Sequence, residues 1–219
     1  QSGLMPSNCR LLDPLEAMLN GAAGGDVAVL LIGFESSDHE LDAWAGRARE
    51  LCLDHGGAVP EKALRTRHED AATRDAAESA WREAFLRAPY LRDALVARGV
   101  FIETFETAVT WDRIDSLVGA VTEAARTSAA EGSGKALVTC RITHADRGRE
   151  LEQWTRVKTS ITDAMLAAGG TTTHHHAVGR DFRPWYERQA PPLFLDMLKA
   201  AKRAVDPAGI LNPGVLLPF

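Results

Sequence analysis

Strand-type apolar segments alternate with amphipathic helical segments along most of this chain. In the clearest strand pattern, from Ala136 to His144, every second residue is apolar, as in a sheet with one buried face. A second segment, from Val27 to Phe34, is apolar throughout, which is typical of a strand covered on both faces. A chain with this alternation folds either as a parallel doubly wound sheet or as an α+β layer.

The turns after the predicted strands distinguish these two architectures. A doubly wound nucleotide-binding sheet has a glycine-rich turn after a strand, where it receives a phosphate group. No predicted strand is followed by such a turn. We therefore predict an α+β fold with a mostly antiparallel sheet covered by helices. The length of 219 residues suits one large domain, and we predict a single domain over residues 1–219.

Start and stop signals place the first helices. The segment Ser37–Glu40 has the pattern of a capping box, which predicts a helix directly after it. Pro89 is expected to divide residues 70–98 into two helices, because an interior proline removes a backbone hydrogen bond. Asp112 is expected to begin a further helix, with Trp111 packed in the core.

The C-terminal part of the sequence predicts two more helices. The first is expected over Leu151–Ala168 and to end at Gly169-Gly170, and residues 171–176 after it are expected to be extended, like residues 100–107. The apolar stripe of the last helix is predicted to be buried. This stripe consists of Phe194, Met197, Leu198, Ala201 and Val205.

Composition excludes several classes of function. The chain has 25 Lys+Arg and 30 Asp+Glu, for a net charge of −5, and its scattered basic residues do not form the footprint of a nucleic-acid-binding protein. The three cysteines have no C-x-x-C spacing, so neither a disulfide framework nor a zinc knuckle is indicated, and a cytoplasmic protein is expected. The longest apolar run, Val27–Ile32, is far shorter than the ~20 residues of a membrane-spanning helix.

Three consecutive histidines, His174, His175 and His176, are the sharpest local signal. Imidazoles titrate near neutral pH, so they suit proton transfer to or from a carbon acid or an alcohol. An extended backbone would place His174 and His176 on one face and His175 on the other. The spacing of a zinc site is absent, so no metal is expected. A solvated loop remains an alternative.

Three arginines, Arg10, Arg92 and Arg141, lie among apolar neighbours. Each one alone is typical of a surface residue or an ion pair. Together they suit a small anionic substrate, because a guanidinium group binds a phosphate or carboxylate through two hydrogen bonds.

Two C-terminal motifs, residues 174–180 and 206–214, resemble the C-terminal part of FAD-linked oxidases of the vanillyl-alcohol oxidase type. The glycolate oxidase and D-lactate dehydrogenase relatives share the closing motif but usually carry a Glu-His pair in place of the histidine triplet. The triplet and four more segments make the chain similar to the alkyldihydroxyacetonephosphate synthases and their bacterial homologues. These segments are residues 9–13, 90–93, 103–113 and 139–143.

This resemblance implies FAD as the cofactor, bound mainly by a domain upstream of Gln1. The chain would be the substrate or cap domain, with its C-terminal tail returning toward the flavin. The implied reaction exchanges an acyl for an alkyl group on a ketone phosphate in ether-lipid synthesis, without net redox change. By the same resemblance, Arg92 and Arg10 bind substrate, His174, His175 and His176 are catalytic, and Asn212 lies near the flavin.

One departure from the family concerns the segment Ala145–Arg149. Family members have a further strand here whose aromatic run supplies a catalytic tyrosine, and we predict that residues are missing from this stretch of the sequence. Two alternative functions stay open: an FAD-dependent 2-hydroxyacid dehydrogenase, and a stand-alone binding module. A peripheral membrane contact and a homodimer also remain open.

Overall fold

The computed structural model describes residues 2–60, 63–64, 76–130 and 142–218. The chain divides into two compact units, Gln1–Leu91 and Arg92–Phe219. The predicted α+β class is confirmed, since helices combine with antiparallel strand pairs in both units. Each sheet among the described residues has two strands, so the sheets are smaller than expected.

The first unit contains an antiparallel strand pair and two helices. Strand β1 (Asn8–Leu12) pairs with β2 (Val29–Gly33), with Asn8 opposite Gly33. Helix α1 (Pro14–Leu19) connects them and begins at Asp13, whose carboxylate accepts a 2.9 Å hydrogen bond from the backbone N–H of Glu16. Such an N-cap satisfies a helix donor that would otherwise lack a partner. Helix α2 (Asp42–Asp54) follows β2.

Two predictions for this unit are wrong. The helix predicted after Ser37–Glu40 is confirmed as α2, but it begins at Asp42 with no side-chain cap, so the predicted capping box is wrong. The hydroxyl of Ser36 instead accepts hydrogen bonds from the N–H groups of Asp38 and His39 in a local turn. Strand β2 is not covered on both faces, since Leu30 and Ile32 are exposed.

Helix α3 (Ala76–Val96) contains the boundary between the two units and continues through Pro89. The predicted break at this residue is therefore wrong. Proline removes one backbone hydrogen bond, but the strong helix formers on both sides, mainly alanine, leucine and arginine, favour one continuous helix.

The core of the second unit lies between two long helices and a short strand pair. Strand β3 (Val100–Ile102) pairs with β4 (Ile142–His144) in antiparallel register. Helix α4 (Ile114–Ala130) packs on α5 (Glu150–Ala167). Seven residues at helical or strand spacing form this core: Phe101, Leu117, Val121, Ala125, Val157, Ile161 and Met165.

Other predictions hold only in part in this unit. Trp111 begins a 3-10 helix (Trp111–Arg113) ahead of α4 and is 78% exposed, so its predicted place in the core is wrong. The extended segment from Val100 pairs as a strand only as far as Ile102. Strand β4 is the C-terminal end of the strand predicted over Ala136–His144. The remaining residues of that prediction, 136–141, lie outside the described residues.

A closed turn joins β4 to α5. The backbone N–H of Arg149 donates to the carbonyl oxygen of Asp146 at 2.8 Å, and the side chain of Gln153 bonds to both Asp146 and His144. We expected residues that form a further strand with a catalytic tyrosine to be missing from the sequence within Ala145–Arg149. This expectation stays a prediction.

Two further helices end the unit: α6 (Arg183–Gln189) and α7 (Pro192–Val205). The prediction for the buried face of α7 is wrong, since Phe194, Met197, Ala201 and Val205 are exposed. The helix instead packs through Leu195, which is buried, while Lys202 on the same side binds the buried Asp206. No helix among the described residues is long and apolar enough to cross a membrane.

Candidate functional site

The backbone bends at the histidine triplet. One carboxylate oxygen of Glu106, Oε1, accepts hydrogen bonds from the backbone N–H groups of both His175 and His176. Consecutive N–H groups of an extended strand point in opposite directions, so a single acceptor cannot receive both unless the backbone turns. The extended conformation predicted for residues 171–176 is therefore wrong.

This bend changes which imidazoles lie together. The rings of His174 and His175 are in contact, with their centroids 3.9 Å apart at an interplanar angle of 68°. The Nδ1 atoms of these two rings are 3.0 Å apart. The predicted separation of His175 from His174 on opposite faces is thus also wrong.

Glu106 also binds the ring of His175. Its second oxygen, Oε2, lies 2.8 Å from Nδ1 of His175. The carboxylate is partly covered, at 22% side-chain exposure, whereas the imidazole is 74% exposed. A fixed carboxylate therefore holds one nitrogen of a ring that is otherwise open to solvent.

The environment of Glu106 favours its ionised form. Burial raises the pKa of this carboxyl, but the hydrogen bonds from the His175 ring and the His176 N–H outweigh burial and lower the pKa below its ordinary value. Glu106 is consequently a carboxylate at neutral pH, and it can only accept hydrogen bonds.

The segment before the triplet is attached to the loop that carries Glu106. The hydroxyl of Thr107 donates to the carbonyl oxygen of Thr171 at 2.6 Å, and the N–H of Ala108 donates to the Thr171 hydroxyl at 2.9 Å. Gln189 on α6 accepts hydrogen bonds from the N–H and the hydroxyl of Thr172, at 2.9 and 2.8 Å. These bonds place the triplet beside Glu106.

Gly170 allows the close approach of these two segments. A Cβ atom at this position would lie 2.6 Å from the Thr107 hydroxyl oxygen and 3.0 Å from the carbonyl oxygen of Met165. Any larger residue would therefore push the loop away from α5.

A buried ion pair supports the start of the Glu106 loop. Glu103 accepts a 2.6 Å hydrogen bond from the indole N–H of Trp154 and a 3.2 Å bond from Lys158. The Lys158 and Glu103 side chains are only 9% and 15% exposed, and the Lys158 ammonium lies 4.0 Å from the centroid of the Phe182 ring. This cation–π contact and the ion pair compensate the desolvated charges.

The tail that contains Asn212 is held by charged side chains. The buried Asp206 accepts bonds from Lys202 and from the N–H groups of Ile210 and Leu211. The bond from Lys202 is the largest of several causes that lower the pKa of Asp206. Asn212 follows in the left-handed region, with φ of 50°, and is exposed.

The other predicted site residues lie on other elements or outside the described residues. Arg92 lies on α3, 59% exposed, with its guanidinium 3.6 Å from the carboxylate of Asp93. Arg10 is on β1 in the first unit. Arg141 lies outside the described residues.

Glu106 and Gln189 were not predicted as site residues. Glu106 lies within residues 103–113, which is one of the segments that carry the family resemblance. That segment could have identified Glu106 as a candidate site residue. Gln189 had no such signal, because its role depends on where α6 packs.

The same cluster contains a set of potential metal ligands. Glu106, His174 and His175 each offer one ligand atom, and these atoms lie within 4.8 Å of one another. Two imidazoles and a carboxylate suit a transition-metal ion. Our expectation of no metal is therefore a prediction to be tested.

One buried polar group beside the triplet is available to a bound cofactor. The hydroxyl of Thr173 is buried and has no hydrogen-bond partner among the described residues. The neighbouring imidazoles and Asn212 are exposed. Such donors and acceptors suit contacts to the ring nitrogens and oxygens of FAD.

The chain is similar to several curated proteins. It is 31% identical to the alkyldihydroxyacetonephosphate synthase of Trypanosoma brucei brucei and 34% identical to that of Caenorhabditis elegans. These matches cover 63% and 58% of this chain but only 25% and 24% of the two relatives. The glycolate oxidase subunit GlcD of Bacillus subtilis is 29% identical over 85% of this chain and 38% of its own length.

The family model for FAD linked oxidases, C-terminal domain, matches residues 1–216. Nearly the whole chain is thus accounted for by one family, which implies FAD as the cofactor. The chain belongs to the C-terminal domain family of the FAD-linked oxidases.

Proposed function

We propose that this chain is the substrate domain of an FAD-dependent enzyme that exchanges an acyl for an alkyl group on a ketone phosphate. The single observation that carries this proposal is the contact of Glu106 with His175, 2.8 Å between Oε2 and Nδ1. A carboxylate that orients an imidazole is the arrangement of a general base. The similarity to two alkyldihydroxyacetonephosphate synthases supports the substrate class.

The chain's own residues would bind substrate and move its protons. The histidine triplet takes a proton from the carbon next to the ketone. It returns the proton after the acyl group has left as a fatty acid and a fatty alcohol has taken its place. Arg92 binds the phosphate through its guanidinium group. When bound, FAD would supply the ring chemistry of the exchange, and Asn212 in the tail would be one of the residues that contact it.

A second candidate is an FAD-dependent 2-hydroxyacid dehydrogenase. The match to the Bacillus subtilis glycolate oxidase subunit favours it, because that match covers 85% of this chain. In this reaction an arginine binds the substrate carboxylate, and a histidine removes the hydroxyl proton as the substrate is oxidised.

A substrate panel on the full-length, flavin-loaded protein distinguishes the two functions. Acyl-for-alkyl exchange on a ketone phosphate, without reduction of an electron-accepting dye, supports the first. Oxidation of glycolate or D-lactate with dye reduction supports the second and contradicts the first.

A further inference from the structure

Glu106 has a hydrogen-bond arrangement that fixes a proton on one atom of His175. Its Oε1 atom is occupied by the backbone N–H groups of His175 and His176. Its Oε2 atom faces Nδ1 of His175 at 2.8 Å. Because an ionised carboxylate has no proton to donate, Nδ1 must be the donor of this bond.

The position of that proton determines the other end of the ring. A neutral imidazole has one N–H group, so a proton on Nδ1 leaves a lone pair on Nε2. The His175 side chain is 74% exposed. Its Nε2 atom is thus the basic atom available to a substrate.

His174 takes the opposite tautomer. Its Nδ1 atom lies 3.0 Å from Nδ1 of His175, which is already a donor. His174 cannot donate from Nδ1 to a nitrogen that is itself a donor, so a neutral His174 carries its proton on Nε2. The two touching rings therefore differ at Nε2, with a lone pair on His175 and an N–H group on His174.

We infer that His175 is the proton-transfer residue of the triplet and that Glu106 is its positioning residue, holding the Nδ1–H tautomer. This inference rests on the proposed proton-transfer function and adds which histidine acts and what orients it. His174 assists as a hydrogen-bond donor, and His176 contributes its backbone N–H to Glu106.

The substitution Glu106→Gln tests the inference with almost no change in shape. The two backbone N–H groups require an acceptor, so the carboxamide oxygen takes the place of Oε1. The carboxamide NH₂ group then faces Nδ1 of His175 and donates to it. His175 is forced into the Nε2–H tautomer, and its outward-facing lone pair is lost.

Nitrogen NMR of 15N-histidine-labelled, flavin-loaded protein measures the tautomer at alkaline pH, without substrate. The His175 signals are identified by their loss in His175→Ala. We expect Nδ1–H in the wild type and Nε2–H in Glu106→Gln. The matched control Glu123→Gln removes an exposed carboxylate on α4 that pairs with Arg126, and it should leave the tautomer unchanged.

An Nε2–H tautomer in the wild type overturns the inference, and so does a Glu106→Gln variant that keeps Nδ1–H. If Glu106→Gln does not fold, the wild-type tautomer decides alone.

Turnover then tests the role of the tautomer. Glu106→Gln should lower kcat roughly 10²–10⁴-fold with flavin content retained, and Glu106→Asp should recover part of this loss. An inverted tautomer with unchanged kcat overturns the positioning role. If the full-length protein catalyses neither proposed reaction, the proposed function fails, whereas the tautomer measurement gives its result independently.

Discussion

Arg180 donates a 2.8 Å hydrogen bond from Nη2 to the carbonyl oxygen of Pro213, which connects the loop after the histidine triplet to the C-terminal tail. Arg183 makes a similar 2.8 Å bond to the carbonyl oxygen of Gly214. Asn212 lies in the tail that these bonds anchor, so its position depends on the same loop as the histidines.

Substituting Arg180 should loosen the tail without unfolding the domain. Arg180 is exposed, and a hydrogen bond of this kind contributes about 0.5–1.5 kcal/mol, so Arg180→Ala should speed amide hydrogen exchange in residues 212–217 while changing the melting temperature little. Arg203→Ala, an exposed arginine on α7, is the control. Equal exchange rates in the two variants would show that Arg180 does not hold the tail.

Gly170→Ala should destabilise the second unit. The new methyl group would overlap the Thr107 hydroxyl, and overpacking of this kind costs about 1–3 kcal/mol. Denaturant unfolding measures this change. Gly119 on α4 is the matched control, because a Cβ there meets nothing within 4 Å, and Gly119→Ala should stabilise the helix by about 0.5–1 kcal/mol. If Gly170→Ala is as stable as Gly119→Ala or more stable, the described packing is contradicted.

Lys158→Met should cost about 3 kcal/mol of unfolding free energy, because it leaves the Glu103 carboxylate partly buried without its cation. Adding Glu103→Gln should restore more than half of this loss, since the carboxamide oxygen still accepts the Trp154 N–H but carries no charge. A double-mutant cycle monitored by tryptophan fluorescence measures both effects. Strictly additive losses would show that the two charges do not interact.

Arg92→Lys in the full-length enzyme keeps the positive charge and removes the planar fork of the guanidinium. If Arg92 binds the anionic group of the substrate, KM should rise by a factor that corresponds to about 1.5–3 kcal/mol, with kcat affected less. Steady-state kinetics measure this change. Unchanged kinetics would assign Arg92 to its surface ion pair with Asp93.

The sequence predicted the fold class from the order of its strand and helix patterns, and it predicted the helix over Leu151–Ala168 from its apolar period, which is a local property. It could not predict the burial of α7, where Leu195 is buried and Phe194 is exposed, because burial depends on which other elements cover the helix. It also identified the histidine triplet but not its bend. That bend is produced by Glu106, which is 69 residues away from His175 in the chain, and local patterns do not report such a contact.

The most direct test of the proton-transfer account is single-turnover kinetics of His174→Ala, His175→Ala and His176→Ala in the full-length, flavin-loaded protein, before and after chelator treatment. The account predicts a rate loss of roughly 10²–10⁴-fold in His175→Ala, smaller losses in the other two, and no effect of the chelator on the wild type. Full activity in His175→Ala, or activity that disappears with chelation and returns with zinc, would contradict it.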